Sequence, residues 1–202
     1  MPSLPLVIQV MLRPRKTYEK LARDSQNPTT LEMLRRPALF AFLLGCSLAL
    51  STIGRFSLRV IVTGTLLWAF APLLQILAAS GVLLLLGGRR HSLRAGIALM
   101  FLGIGPWSFW ILTVAALFSF IPPESAVVWI AGRVTSPLDT VALPFLWSAF
   151  VTFGFFRGAL AWSRPKSACA LVLYHALAWG PPVLFFLASD QLLPRLARVP
   201  AP

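Results

Sequence analysis

Long apolar runs alternate along this chain with short polar stretches that carry most of the charged residues. A helix needs about 20 apolar residues to cross the roughly 30 Å hydrocarbon core of a bilayer. Five runs approach or exceed that length, so the pattern predicts five transmembrane helices. The predicted spans are residues 37–53, 60–86, 97–121, 141–162 and 169–188.

Prolines and glycines predict where these helices start or bend. Pro37 suits the first turn of the first span, where its missing N–H is tolerated. Pro72 is expected to kink the second span or, as an alternative, to split it into two half-helices. Further breaks are predicted at Gly103–Pro106 in the third span and at Pro181-Pro182 in the fifth.

Composition supports the membrane interpretation. Hydrophobic residues make up 57% of the chain and charged residues only 12%, against roughly 25% charged in soluble domains. The net charge is +12, but the cations punctuate apolar runs and form no single basic face of the kind that binds nucleic acid. The two cysteines lie in apolar runs without metal-ligand spacing, which is typical of packing residues. We therefore expect an all-α membrane bundle with no nucleic-acid partner.

The distribution of Lys and Arg between loops predicts the orientation. Thirteen cations lie in the N-terminal segment and in the loops on its side, and five lie in the other loops and the tail. Cytoplasmic loops carry the excess of cations. This places residues 1–36 in the cytoplasm and residues 190–202 outside as a short tail, with the transmembrane domain at 37–189. Residues 122–139 are expected to form an external interfacial or re-entrant segment, because their apolar stretch is too short to cross.

The N-terminal segment also carries an amphipathic pattern. Pro14 can open a helix in which basic residues lie beside an apolar stripe, and such helices lie in the headgroup region. The alternative is a solvated basic cap that acts only as a topology signal. The residues expected to contact anionic lipid or the interface are Arg13, Arg15, Lys16, Tyr18 and Lys20.

Small residues at helical spacing predict packing faces. Gly154 and Gly158 form a GxxxG pair that permits close helix approach. A second stripe on the first span consists of Ala41, Gly45 and Ala49. These five residues are the helix-packing candidates.

Two polar side chains fall well inside predicted spans. His175 is a candidate haem ligand or proton relay, although the more common role is a hydrogen bond to a neighbouring helix. Gln75 can hydrogen-bond across the bundle. We find no nucleophile–base pattern, metal-ligand motif or phosphate loop, so we expect no catalytic residues, no metal and no cofactor.

Residues 11–21 (MLRPRKTYEKL) resemble the segment that precedes the first span in prokaryotic Yip1-domain membrane proteins. The resemblance implies a cytoplasmic N-terminus, about five spans and an external C-terminus. It also implies a non-enzymatic integral protein of the cell (inner) membrane that organises lipid or partner proteins. Expected partners are membrane lipids, including anionic headgroups, and a membrane-protein partner or a second copy of the chain.

Two other functions are open on the sequence. Helix breaks at the three proline sites are compatible with a small transporter or channel, since they expose backbone groups to a cavity. A membrane-anchor subunit of a redox complex, with His175 as haem ligand, is the other alternative.

Overall fold

The computed structural model describes the backbone of residues 4–24, 28–53, 55–87, 92–120 and 137–196. Side chains are described within these ranges except at 51–53, 118–120, 137–140 and 185–196. Every regular element in the described ranges is helical. The elements are α1 Leu6–Leu12, α2 Pro14–Asp24, α3 Thr30–Ile53, α4 Leu58–Trp68, α5 Phe70–Leu86, α6 Leu93–Met100, a 3₁₀ segment Phe101–Ile104, α7 Gly105–Phe120, α8 Pro137–Gly158 and α9 Arg164–Leu196.

Five helical segments in the described part of the chain are long and apolar enough to cross a membrane. Only between 22% and 44% of each apolar stretch is buried inside the protein, so most of this surface needs an apolar solvent. This confirms the predicted all-helical, multi-pass membrane fold with five spans. The segments are Thr30–Leu50, Leu58–Leu86, Leu93–Leu117, Val141–Gly158 and Arg164–Leu184.

The second span is divided at Ala69 into α4 and α5. Pro72 has no N–H to donate to the carbonyl of Trp68 four residues earlier, and its ring crowds that carbonyl. The helix α4 therefore ends at Trp68. Ala69 N–H donates at 3.3 Å to the carbonyl of Leu66, three residues earlier, and not to the carbonyl four residues earlier as in an α-helix. Of the two alternatives, the structure has two half-helices.

The third span is interrupted where the sequence predicted a break. A 3₁₀ segment, Phe101–Ile104, joins α6 to α7, and Pro106 in the first turn of α7 cannot donate to the Leu102 carbonyl. A mid-helix stretch of 3₁₀ often marks a hinge or a functional position.

The first span begins earlier than predicted. Thr29 and Glu32 form a capping box, in which Thr29 N–H donates to the Glu32 carboxylate at 2.7 Å and Glu32 N–H donates to the Thr29 hydroxyl at 3.3 Å. This cap starts α3 at Thr30, and the helix continues through Pro37. The prediction of Pro37 in the first turn was wrong, because the reciprocal cap fixes the helix start further upstream.

The helix that contains the fifth span extends beyond both ends of the predicted span. The helix α9 has 33 residues, a length of about 50 Å, and it contains both Pro181 and Pro182 without interruption. The break predicted there does not occur. Asp190–Leu196 of the predicted tail continue α9, and residues 197–202 of that tail lie outside the described residues, as does the main part of the predicted 122–139 segment.

The turn between α8 and α9 adopts a strained backbone conformation. Ala161 has φ of 53°, in the left-handed region that favours glycine. Trp162 N–H donates to the Phe156 carbonyl at 3.2 Å and closes the turn at the C-terminal end of α8. Arg157 donates to the Trp162 carbonyl and fastens the turn.

The Ala41, Gly45 and Ala49 stripe lies where α3 meets α4. Ala41 and Ala49 are buried. A methyl group at Gly45 would collide with the backbone of α4, lying 2.5 Å from the Ile61 carbonyl oxygen and 2.7 Å from the Thr65 nitrogen. The glycine therefore allows the two helix backbones to touch.

Candidate functional site

The short helix α2 packs directly on the GxxxG face of α8. A methyl group at Gly154 would lie 2.5 Å from Pro14 Cβ, and one at Gly158 would collide with the Arg15 carbonyl oxygen. The two glycines thus accommodate a helix from the N-terminal segment. This arrangement fixes the backbone of Arg15 and its neighbours against the end of the fourth span.

Tyr18 anchors α2 inside the bundle. Its side chain is 0% exposed, and its ring meets Phe155 edge to face at a centroid distance of 5.3 Å. On another side it fits the space left by Gly103, where a methyl group would lie 2.7 Å from the Tyr18 hydroxyl. Burial raises the pKa of the phenol above its ordinary value, so Tyr18 is neutral. Tyr18 was predicted to contact the interface, but it is an interior residue.

The helix α1 packs against α7 and α8. Trp147 of α8 donates its indole N–H to the Met11 carbonyl at 3.1 Å, and a methyl group at Gly105 would lie 2.6 Å from Met11 Sδ. Thr17 joins the two short helices by donating to the Gln9 and Arg13 carbonyls at 3.1 and 2.9 Å. The N-terminal segment is therefore integrated with the spanning helices.

A basic pocket of about 470 Å³ lies where α2 meets the ends of α8 and α9. We call it the basic pocket. Five of its lining residues are cations, and none of the described residues that line it is a carboxylate. Its lining residues are Arg13, Pro14, Arg15, Lys16, Phe150, Phe153, Gly154, Arg157 and Arg164.

The acidic residue nearest in sequence does not neutralise this pocket. Glu19 pairs with Arg23 on the exposed face of α2, with the Arg23 nitrogen 2.6 Å from the carboxylate. Lys166, near the start of α9, lies over the Trp162 ring at 4.5 Å, and that ring stacks on Phe156 at 5.3 Å. Glu19, Arg23 and Lys166 are therefore engaged in contacts outside the residues that line the pocket.

The pocket also has an apolar side. Phe150 is 53% exposed and lies one helical turn from Phe153 and Gly154 on α8, so aromatic surface borders the cluster of guanidinium groups. A site of this kind presents cations to a headgroup and an apolar wall to the chains beneath it. Basic pockets between transmembrane helices are typical of anionic-lipid sites.

The predicted interface residues divide into three groups. Arg13, Arg15 and Lys16 line the basic pocket, Lys20 is exposed on α2 outside it, and Tyr18 is interior. Two further cations line the basic pocket, Arg157 and Arg164, and neither is among the predicted interface residues. The signal for both was their position at the ends of two spans on the cation-rich side, but only the tertiary fold brings them to α2.

His175 lies within α9. Its Nδ1 bonds the Leu171 carbonyl of its own helix at 3.0 Å, and its ring meets Phe145 of α8 edge to face at 5.1 Å. His91, the other histidine, lies outside the described residues. Within the part of the chain that the structure describes, no group of three His, Cys, Asp or Glu side chains is placed to hold a metal ion.

Comparison of the chain with protein-family models, with curated proteins and with solved structures gives no match.

Proposed function

We propose that this chain is a non-enzymatic multi-pass membrane protein that binds anionic lipid headgroups at the basic pocket, and in this way organises membrane lipid or partner proteins. The observation that carries the proposal is the convergence on one pocket of five cations, four from three helices and Arg13 from the junction of α1 and α2, with no carboxylate among its described lining residues. A phosphate group accepts hydrogen bonds from several guanidinium groups at once, and arginine suits such multidentate contacts.

The proposal includes the orientation and the membrane. The basic pocket lies at the end of the bundle to which the cation-rich loops belong, and the positive-inside rule assigns that end to the cytoplasm of the cell (inner) membrane. The layout of a basic N-terminal segment before five spans is also that of the Yip1-like proteins that residues 11–21 resemble.

The expected strength of the site follows from its charge. Each cation near an anionic surface contributes about 1 kcal/mol. Replacing Arg13, Arg157 and Arg164 together by glutamine should therefore weaken binding by about 3 kcal/mol, or roughly 100-fold. The packing of α2 on α8 involves the Arg15 backbone, Pro14 and the two glycines, so these three substitutions leave that contact in place.

The test is native mass spectrometry of the purified chain, titrated with phosphatidylglycerol or phosphatidylcholine. We expect the wild-type chain to retain phosphatidylglycerol selectively and the triple variant to lose this preference. The matched control is Lys20→Gln, which removes an exposed cation from the same helix but outside the pocket. Its lipid preference should remain close to that of the wild type.

Two results would contradict the proposal. One is equal retention of the two lipids by the wild-type chain. The other is an equal loss of preference for phosphatidylglycerol in Lys20→Gln and in a variant that carries only one of the three pocket substitutions. That result would mean that the net charge of the protein, and not a defined site, determines lipid binding.

A further inference from the structure

Both interruptions of the spanning helices border pockets that are partly open to the protein surface. The break between α4 and α5 supplies Trp68 and Phe70 to the wall of one cavity, and the 3₁₀ segment supplies Phe101 and Ile104 to the wall of another. Irregular backbone at membrane depth is stable only where it is buried in protein or lines a cavity. In membrane proteins such discontinuous helices often surround a binding site.

The first of these cavities, which we call the aromatic pocket, has a volume of about 420 Å³. Tryptophans from two helices form part of its wall: Trp107 lies 4.6 Å from Trp179 and 6.0 Å from Trp110, measured between ring centroids. Its volume falls in the range of small-molecule sites, which are mainly apolar with a few polar groups. Aromatic walls of this kind favour a flat ring.

The second cavity, which we call the polar cavity, adjoins the aromatic pocket and shares Gln75, Trp107 and Trp179 with it. Its volume of about 30 Å³ is enough for one or two water molecules, or for the hydroxyl group of a ligand. Polar side chains from α5, α8 and α9 face one another across it: Gln75, Ser148, Thr152, Tyr174 and His175.

The hydrogen bonding of His175 defines what this cavity accepts. A carbonyl oxygen only accepts, so the 3.0 Å contact between Nδ1 and the Leu171 carbonyl requires the proton on Nδ1. In the neutral ring, Nε2 is then an acceptor. Gln75 can both donate and accept, and the Ser148 hydroxyl donates to the Phe145 carbonyl at 2.8 Å, which leaves the serine oxygen as an acceptor. The acceptors on His175 and Ser148 therefore suit a ligand group that donates a hydrogen bond.

We propose that the aromatic pocket and the polar cavity together form an intramembrane binding site for a flat, membrane-soluble molecule bearing a hydroxyl group. The ring lies against the tryptophans of the aromatic pocket, and the hydroxyl donates to His175 Nε2 and hydrogen-bonds to Gln75. This site has no lining residue in common with the basic pocket, so the lipid experiment above and the experiment below succeed or fail independently.

The probe is 1-naphthol, and its matched control is 1-methoxynaphthalene, which has the same ring system but no O–H to donate. Binding of radiolabelled 1-naphthol is measured by equilibrium dialysis against the chain in phosphatidylcholine nanodiscs, with empty nanodiscs subtracted. We expect saturable binding to the chain. We also expect 1-methoxynaphthalene to compete at least about tenfold less well than unlabelled 1-naphthol, because one buried hydrogen bond is lost and its acceptor is left unpaired.

Two variants locate the site. His175→Phe and Gln75→Leu should each reduce 1-naphthol affinity about tenfold. The control Thr113→Val removes a polar side chain from an exposed position on α7, where its hydroxyl donates to the Phe109 carbonyl at 2.9 Å, and should bind like the wild type. The circular dichroism spectrum and the gel-filtration profile of each variant establish that it is folded.

Three results would overturn the inference. They are binding no greater than that of empty nanodiscs, equal competition by the two naphthalenes, and unchanged affinity in both folded site variants. The comparison of the two naphthalenes uses only the wild-type chain, so it decides the matter even if a variant does not fold.

Discussion

Replacing Gly154 and Gly158 by alanine should release α2 from the bundle. An added methyl group at Gly154 would lie 2.5 Å from Pro14 Cβ, whereas ordinary van der Waals contacts begin near 3.4 Å. The helix would have to move by about 1 Å, and overpacking of this kind destabilises by roughly 1–3 kcal/mol per site. At Gly158 the obstacle is the Arg15 carbonyl, part of the backbone, which a rotamer change cannot relieve.

The consequence should be local. Because α2 is a short helix outside the five spans, the double variant should lose its docking while the spans remain folded. A total of about 2–6 kcal/mol corresponds to an increase of at least about 30-fold in opening of residues 14–24. Hydrogen–deuterium exchange with mass spectrometry should show this increase in α2 peptides. Peptides from α5 should exchange as in the wild type.

Gly180→Ala is the matched control for this prediction. It makes the same chemical change within a span, at a position where an added methyl group meets nothing within 4 Å. Its α2 peptides should exchange at the wild-type rate. Unchanged exchange of α2 in the double variant, or equal acceleration in Gly180→Ala, would refute the steric reasoning.

Two further predictions concern single side chains. Tyr18→Phe should raise the free energy of unfolding by about 1 kcal/mol, because within the described residues the buried Tyr18 hydroxyl has no hydrogen-bond partner. Tyr18→Ala should lower the free energy of unfolding by about 3–5 kcal/mol through loss of the buried ring. Unfolding in mixed micelles measures both, and a Tyr18→Phe variant less stable than the wild type would show that the hydroxyl is hydrogen-bonded. Ala161→Gly should raise the free energy of unfolding by about 1 kcal/mol, because Ala161 has φ of 53°. The control Ala159→Gly lies in the same turn but outside the left-handed region, and it should not raise the free energy of unfolding. A destabilised Ala161→Gly variant would contradict the strain argument.

The amino-acid sequence by itself determined the class of fold. The length of an apolar run decides whether a helix can cross the bilayer, and run length is a local property, so five spans could be predicted. The break near Pro72 and the one at Gly103–Pro106 were predictable for a similar reason, since proline acts on a carbonyl only four residues away. Pro181 and Pro182 fall under the same rule, yet α9 continues through them.

The tertiary structure alone decided what the polar and small residues do. The GxxxG pair predicted a close helix contact, but only the fold identifies α2 as the helix that lies on it. Tyrosine is a residue type that is common at membrane interfaces, but Tyr18 is buried because of the distant residues Gly103 and Phe155. Arg157 and Arg164 join Arg13 across more than 140 positions of sequence. Such long-range contacts depend on how whole helices pack, and no local pattern in the sequence encodes them.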